Sequence, residues 1–321
     1  MALSTSYNTA GNREDLTSVI STLEPESCPF VSMAKKAQAT GTFFEYQVDK
    51  LNNPEFSGIS EGEDVTSFVN QTKDRVKLGN FIQVFRDTFQ VSNIQELVDV
   101  AGVASSFANA EAKAVRNIKR SIESAFCSSQ DRQADAGAGA PYKTRGMFKW
   151  LGVGGQPSDI PAFAQNVAND TTGTQTEATF NSVLQELYEA NGMPGGQLTL
   201  LAGPSLKQEI SNFSRQLAAT NGTYTVNQDA ESRKITLTVN IYEGDFGNVA
   251  ILPSLFINRT SGSSTVDSDA GLLVDPEYIA MHSLKAESVT ELENQGGGRR
   301  GFVDVVAGLA VYAPKAHGFF N

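Results

Sequence analysis

Two strand-like stretches separated by a long polar connection place the strongest constraint on how this chain of 321 residues can fold. In the first stretch, apolar and polar residues alternate from Phe44 to Val48, which is the period of a half-buried strand. The second stretch, FIQVFRDTFQVS, begins at Phe81, and residues 52–70 between them are rich in Gly, Asn and acidic residues. We interpret residues 41–90 as one extended β-hairpin loop.

An extended loop of this kind needs support from elsewhere. An isolated two-stranded ribbon is marginal in water, and ordering its backbone costs about 1–2 kcal/mol per residue. Long loops without secondary structure are also uncommon inside compact domains. We therefore expect the loop to rest on a neighbouring subunit. An ordinary three-stranded sheet with a disordered loop is the alternative that the pattern leaves open.

The clearest helix is predicted over residues 102–128, and it would be about 40 Å long. Its inward-facing stripe recurs at steps of three and four residues and consists of Phe107, Glu111, Val115, Ile118, Ile122 and Phe126. Arg116, Lys119 and Arg120 form a basic cluster. These three residues and Glu123 lie mostly off the stripe. The cluster could contact phosphates, but a solvated face with a Lys119–Glu123 pair at i,i+4 fits the pattern better.

The remaining patterns predict an α+β chain with two lobes, because 321 residues exceed the usual size of a single core. A short helix over residues 12–23 begins the chain. Residues 150–270 alternate between helix and strand patterns, with Thr176 capping one helix and Pro204 beginning another, which indicates an α/β lobe. From residue 271 on, two or three further strands are separated by the turn NQGGGRRG.

Composition and charge exclude several classes of protein. The chain is 40% hydrophobic and 19% charged, as in ordinary soluble globular proteins. Acidic residues outnumber basic ones by 36 to 25, and this net charge of −11 opposes sequence-specific DNA binding, which needs clustered Lys and Arg. No membrane-spanning run or signal peptide is present, so we expect folding in the cytoplasm without a membrane partner. In that reducing compartment, Cys28 and Cys127 should not form a disulfide.

No constellation for catalysis, metal binding or cofactor binding is evident. The chain has only two histidines, His282 and His317, and lacks a G-x-S-x-G motif. Paired Cys and His residues at zinc-ligand spacing are absent, and the glycine runs lack the Gly-Lys-Ser/Thr of a phosphate loop. We expect His317 to be a surface or terminal-strand residue. The interpretation is therefore that the protein is not an enzyme and needs no cofactor.

Several short phrases, taken in order, resemble one family. The phrases are NREDLTSVISTLEPESCPF, FFEYQVDKL, the pair Glu61-Gly62, GNFIQVFRDTFQVSN, AEAKAVRNIKRSIESAF, RGMFKWL and GLAVYAPKAHG. Together they span nearly the whole chain and resemble the major capsid proteins of tailed double-stranded DNA bacteriophages, although Cys28 stands where that family would have Thr.

The resemblance implies the Hong Kong 97 phage capsid fold and a corresponding division of the chain. The implied units are an N-terminal arm (1–40), an extended loop (41–90), a peripheral lobe with a long spine helix (91–149 and 271–321) and an inserted axial lobe (150–270). In that fold the extended loop lies across an adjacent subunit, which would supply the support that the loop needs.

The resemblance also implies a structural function. Subunits would form hexamers and pentamers that close into an icosahedral shell around phage double-stranded DNA, in a virion assembled in the host bacterial cytoplasm. The acidic composition suits an inner wall that does not grip DNA, and scaffolding, portal and decoration proteins are candidate partners. Two alternatives are an encapsulin nanocompartment, which shares the fold but encloses an enzyme, and, more distantly, an α+β enzyme.

If the function is structural, the residues of interest are those at interfaces. The candidates for inter-subunit contacts are the charged residues of the extended loop and the long helix: Glu61, Asp64, Lys73, Arg75, Arg116, Lys119 and Arg120. Ordinary exposed surface charge is the alternative for each of them.

Overall fold

A computed structural model describes residues 27–321 except 99–104, 138, 192–196, 221–227, 230–233, 236–238 and 260–266. The helices are α1 (Pro29–Met33), α2 (Asn93–Leu97), α3 (Ser106–Phe126), α4 (Met147–Trp150), α5 (Glu177–Asn191) and α6 (Pro204–Thr220). The first strands are β1 (Lys35–Gln38), β2 (Phe43–Val48), β3 (Val76–Phe81), β4 (Gln83–Val91), β5 (Asn169–Asp170), β6 (Gln197–Ala202) and β7 (Gln228–Asp229). The others are β8 (Lys234–Ile235), β9 (Ile241–Gly244), β10 (Gly247–Pro253), β11 (Gly271–Val274), β12 (Ile279–Leu292), β13 (Arg299–Val311) and β14 (Gly318–Phe320). The helix predicted over residues 12–23 lies outside the described residues.

A four-stranded sheet in the order β1-β12-β13-β4 carries the predicted long helix on one face. The helix, α3, begins after Ser105, whose hydroxyl accepts a hydrogen bond from the Ala108 amide. Two aromatic contacts fix it to β4: Phe107 packs on Phe89, and Phe126 on Phe85. The prediction of a long helix is therefore confirmed. Phe107, Ile118, Ile122 and Phe126 of the predicted stripe are buried, whereas Glu111 and Val115 are only half-buried.

A six-stranded sheet in the order β5-β14-β11-β6-β10-β9 forms the second layer, and its core packs against α5 and α6. The predicted helix starts are confirmed: the Thr176 hydroxyl accepts from the Thr179 amide at 3.2 Å, and α6 begins at Pro204. Strand β6 is central in this sheet, between β10 and β11. Its apolar run is buried on both faces, because Leu198 and Leu200 lie in the core with α5 and α6, and Leu201 lies in the core that contains α3.

The predicted pairing of the extended loop is wrong in its second strand. Strand β2 pairs with β3, whereas β4, which contains most of FIQVFRDTFQVS, pairs with β13 in the four-stranded sheet. Strand β3 ends and β4 begins on either side of Ile82, which is buried. The physical reason is a long-range contact: Phe85 and Phe89 of β4 pack against α3, and a local pattern does not show which distant element will cover an apolar face.

Strand pairing also crosses the predicted unit boundaries. Strand β1, assigned to the N-terminal arm, pairs with β12 of the four-stranded sheet. Strands β11 and β14, assigned to the peripheral lobe, lie in the six-stranded sheet with β6. The division into units stays a prediction, and its bounds have to accommodate these pairings.

His317 is buried, so the predicted surface position is wrong, although it does directly precede the terminal strand β14. Its ring Nδ1 accepts a hydrogen bond from the Asp275 amide at 3.1 Å, and its carbonyl accepts one from the Asn166 side chain. Burial lowers the pKa of His317 to about 3, which keeps the imidazole neutral. This histidine therefore anchors the C-terminal strand and takes no part in surface chemistry.

Candidate inter-subunit surface

Residues 49–75, which connect β2 to β3, form a projecting segment that we call the exposed loop. Residues 49–73 are all exposed in the subunit. Six large apolar side chains lie among them, with exposures from 59% to 101%: Leu51, Phe56, Ile59, Val65, Phe68 and Val69. A large exposed apolar surface on a soluble protein marks an interaction site, and these six side chains all lie on one segment. The exposed loop is therefore the strongest candidate for a contact with another molecule.

Three of the four predicted contact residues in the exposed loop are available for a partner. Glu61, Asp64 and Lys73 are exposed and make no ion pair within the described part of the chain. Gly62 has φ of 83°, a conformation that favours glycine, and forms the turn that carries Glu61. Arg75 differs, because its Nε lies 3.1 Å from Asp49 Oδ2 and pairs the two ends of the loop within the subunit.

The base of the β2–β3 ribbon is held by a buried polar network, which sequence reasoning did not identify. The Asn80 amide nitrogen donates to Thr144 Oγ1, to the Arg145 carbonyl and to the Leu309 carbonyl, and its oxygen accepts from the Arg145 amide. These bonds tie β3 to the segment after α3 and to β13. The exposed loop is thus anchored rigidly at its base.

Arg145 is the centre of this network, with only 2% of its side chain exposed. Its guanidinium donates two hydrogen bonds to Asp159, at 2.8 and 2.9 Å, and one to Asp131 at 2.7 Å. It also lies over the Trp150 ring at 4.8 Å. Burial favours the neutral form of Asp159, but the hydrogen bonds and charge of Arg145 outweigh it and lower the pKa of Asp159, so this carboxylate stays ionised at neutral pH.

The structure places the three predicted residues of α3 in different environments. Arg116 is exposed, Arg120 is half-buried with its guanidinium 6.0 Å from the Phe256 ring, and Lys119 Nζ lies 3.8 Å from Glu287 Oε2 on β12. The predicted Lys119–Glu123 pair is wrong, because Glu123 is turned into the protein.

Glu123 joins α3 to the N-terminal segment. Like the network around Arg145, this contact was not predicted from the sequence pattern. Its two carboxylate oxygens accept hydrogen bonds from the Phe30 and Val31 amides, each at 2.8 Å. Phe30 itself is fully buried and packs edge-on against Phe126. The sequence did contain one signal for the burial of Glu123: it lies about one turn before Phe126, on the buried side of the helix. A single carboxylate therefore docks α1 onto α3.

Replacing Glu123 by Ala is expected to lower the free energy of unfolding of the unassembled subunit by about 2–3 kcal/mol. The reason is that one buried amide donor, of Phe30, and one half-buried donor, of Val31, lose their acceptor, and an unsatisfied buried donor costs about 1–3 kcal/mol. Chemical denaturation followed by circular dichroism measures the effect. The control, Lys119→Ala, removes an exposed pair and should change the value by less than about 1 kcal/mol. Equal values for Glu123→Ala and the control would contradict this role of Glu123.

The same carboxylate should make stability depend on pH. Burial raises the pKa of Glu123 from 4.5 to about 7 in the folded protein. Because the folded state keeps a proton that the unfolded chain releases, the free energy of unfolding should fall as pH rises from about 4.5 to 7, by at most about 1.4 kcal/mol per pH unit. Subtracting the profile of Glu123→Gln isolates this residue. A difference that is flat with pH, or that rises with pH, would show the assignment to be wrong.

Neither a membrane segment nor a metal centre is found in the described parts of the chain. No helix there is long and apolar enough to span a bilayer. No group of three or more His, Cys, Asp or Glu side chains there is arranged to hold a metal ion.

Comparisons with solved structures identify the fold. The chain is similar to the capsid asymmetric unit of cyanophage A-1(L), with a TM-score of 0.65 and 12% identity over 99% of this chain and 98% of that one. It is also similar to the SrpI encapsulin of Synechococcus elongatus, with a TM-score of 0.55 and 13% identity over 100% of this chain and 96% of that one. At these identities the similarity shows the fold alone, which is a mixed α+β fold shared with phage capsid proteins.

Comparisons of sequence are more specific. The major capsid protein of Escherichia phage Phieco32 is 30% identical over 132 residues, which are 40% of this chain and 36% of that protein. The family model described as SU10 major capsid protein matches residues 3–321 of this chain. Because that match covers almost every residue, this chain belongs to the SU10 major capsid protein family.

Proposed function

We propose that this major capsid protein assembles with copies of itself, through hexamers and pentamers, into an icosahedral shell that encloses phage double-stranded DNA. The observation that supports this proposal best is the exposed loop, whose residues 49–73 are exposed along their whole length and carry six large apolar side chains. Burying these side chains against an adjacent subunit removes apolar surface from water, at roughly 25 cal/mol per Å².

The Hong Kong 97 type of subunit is the specific fold that we propose. In that assignment α3 is the spine helix, the β2–β3 ribbon with the exposed loop is the extended loop, and α1 with β1 belongs to the N-terminal arm. The four-stranded sheet then forms the peripheral lobe, and the six-stranded sheet with α5 and α6 forms the axial lobe. The rigid base at Arg145 and the docking of α1 by Glu123 suit a subunit that must present two arms in defined directions.

Glu61, Asp64 and Lys73 of the exposed loop and Arg116 of α3 are the charged side chains that we propose at subunit interfaces. All four are exposed in the isolated subunit. Lys119 and Arg120 are weaker candidates, because the first pairs with Glu287 and the second is half-buried near Phe256. Arg75 acts within the loop through Asp49.

The contents of the shell distinguish a phage capsid from the alternative, an encapsulin-like shell. A net charge of −11 suits a wall that encloses DNA without gripping its phosphates. An encapsulin-like shell around a protein cargo is the second candidate, which the similarity to the SrpI encapsulin supports. Purified shells that contain nuclease-protected DNA favour the first candidate, and shells that contain a stoichiometric enzyme favour the second. Tight, salt-sensitive binding of free DNA would contradict the non-adhesive wall.

Light scattering followed by electron microscopy of the purified protein tests the proposal directly. The expected result is closed, angular particles of many megadaltons, formed either alone or with a scaffolding protein expressed beside it. Portal and decoration proteins would join in the host bacterial cytoplasm and are not needed for this measurement. A subunit that stays monomeric across salt and concentration, with and without the scaffold, would contradict self-assembly, and an α+β enzyme would then need consideration.

A further inference from the structure

The two cysteines of the chain lie at the two helix ends that Glu123 joins. Cys28 directly precedes α1, and its carbonyl accepts a hydrogen bond from the Ser32 amide at 3.3 Å. Cys127 directly follows α3, and its amide donates to the Glu123 carbonyl at 3.0 Å. The Glu123 side chain in turn accepts from the Phe30 amide, two residues after Cys28. Two residues that are far apart in the sequence are thus brought to one side-chain contact.

Packing and electrostatics both place the two thiols near one another. The Phe30 and Phe126 rings, of which the second directly precedes Cys127, pack edge-on with their centroids 6.4 Å apart. Burial raises the pKa of the Cys127 thiol, and Glu123 and the Cys28 thiol raise it further. One thiol affects the other in this way only at short range. Neither cysteine is in a disulfide.

The two thiols differ in their access from solution. Cys127 is fully buried, whereas Cys28 is only half-buried, so an oxidant in solution can reach Cys28 alone. Burial and the charge of Glu123 raise the pKa of Cys28 to about 11, against the opposite effect of Arg120 and Lys119. Little thiolate is therefore present at neutral pH, which makes oxidation slow and keeps both thiols reduced in a bacterial cytoplasm.

We propose that Cys28 and Cys127 of one subunit form a disulfide when the protein enters an oxidising environment, and that this bond fixes α1 to the end of α3. Cys28 stands where the family resemblance leads us to expect Thr, so the proposed bond belongs to this chain in particular. The inference rests on the proposed function for its timing, because a phage particle leaves the reducing host cytoplasm on release.

The reaction needs an oxidant, and a small-molecule disulfide such as oxidised glutathione suffices. The Cys28 thiolate attacks one glutathione sulfur, which forms a mixed disulfide and releases one glutathione thiolate. Cys127 then loses its proton, and its sulfur attacks Cys28 Sγ and releases the second glutathione. The two protein thiols together lose two electrons and two protons, and one oxidised glutathione becomes two reduced molecules. Only the first step needs access from solution, which is what the exposure of the two thiols allows.

Oxidation should stabilise the subunit. The bond would close a loop that contains α1, β1 to β4, α2 and α3, and closing a long loop restricts the unfolded chain. We expect the melting temperature of the oxidised subunit to exceed that of the reduced one by roughly 5 °C or more. Thermal unfolding followed by circular dichroism measures the shift, and treatment with dithiothreitol should reverse it.

Mass spectrometry tests the pairing directly. The purified full-length protein is incubated with oxidised glutathione at about pH 9, where more of the Cys28 thiol is ionised, and is then quenched with N-ethylmaleimide. The expected product has lost two hydrogens, stays monomeric on a non-reducing gel, and yields digest peptides joined through Cys28 and Cys127. An unmodified protein, a lasting glutathione adduct on Cys28, or a covalent dimer would each overturn the inference.

Cys28→Thr is the matched control, because it removes the accessible thiol and restores the residue expected from the family. This variant should neither lose hydrogens nor gain melting temperature on treatment with oxidised glutathione. In the wild type, the rate of disulfide formation should rise about tenfold per pH unit between about pH 7 and 9, since the pKa of Cys28 lies well above that range. A rate that does not change with pH would contradict Cys28 as the residue that reacts first.

The outcomes separate this inference from the proposed function. The disulfide is measured within single subunits, so its formation does not depend on assembly. If the wild type forms shells but no Cys28–Cys127 bond, the inference is wrong and the assembly stands. If the bond forms in a protein that never assembles, the assembly is wrong and the pairing stands.

Discussion

Deletion of residues 55–72 is expected to leave a soluble, folded subunit that no longer assembles. The deleted residues are all exposed, and their hydrogen bonds are local, apart from one between the Asn52 and Gln71 side chains. Residues 49–54 and 73–75 remain to connect β2 to β3, and hairpin connections of that length are well tolerated. The melting temperature should therefore match the wild type, while light scattering should detect no particles.

A second variant separates shortening of the loop from loss of its side chains. Replacing residues 55–72 by a Gly-Ser segment of equal length keeps the reach of the loop but removes most of its large apolar and acidic side chains, and it should also fail to assemble. The single substitution Glu61→Gln keeps the apolar residues and should still allow particles to form, with a weaker dependence on salt, because salt screens the charge contact that the substitution removes. Normal shells from the deletion would refute the role of the exposed loop as an inter-subunit arm.

Replacing Arg145 by Ala should lower the free energy of unfolding by about 3 kcal/mol. Removing one partner from a buried ion pair leaves the other charges uncompensated, which costs about 3–5 kcal/mol for a fully buried pair. The expected value lies at the low end, because Asp159 and Asp131 keep side-chain exposures of 27% and 49% and are partly screened by water. Chemical denaturation of the unassembled subunit measures it.

Arg75→Ala is the matched control for this substitution. Arg75 also pairs with a carboxylate, Asp49, but half of its side chain is exposed, so the loss should be under about 1 kcal/mol. Both arginines support the exposed loop. Arg75 lies where the loop leaves the β2–β3 ribbon, and Arg145 lies at the base of that ribbon. Similar values for the two variants would show that the network around Arg145 does not anchor the ribbon more strongly than an ordinary surface pair.

The two substitutions should differ in assembly as well as in stability. Arg145 is tied through Asn80 to β3, so its loss is expected to loosen the base from which the exposed loop projects. A loop that samples many directions has to lose that freedom when it meets a neighbour, which weakens binding. Particle yield at subunit concentrations where the wild type just assembles should therefore fall for Arg145→Ala and stay near the wild-type value for Arg75→Ala.

Local sequence patterns were sufficient for several parts of this protein. Period and capping signals predicted α3, the starts of α5 and α6, and the half-buried strand β2, because side chains on one face of a helix or strand recur at fixed spacing. The polar, glycine-rich composition of residues 52–70 likewise indicated a projecting segment. The order of short phrases along the chain pointed to the capsid family, which the full-length family match then established.

Only the tertiary structure decided which distant groups each element meets. Glu123 follows polar neighbours on α3 and was interpreted as solvent-facing, yet it is buried because α1 brings the Phe30 and Val31 amides to it. Strand β4 was assigned to the extended loop, yet its aromatic face is covered by α3. His317 is enclosed because Asp275 returns beside it from 42 residues earlier in the chain. Periodicity describes one element at a time, whereas burial depends on long-range packing, so a sequence alone determines the faces of its helices and strands but not their partners.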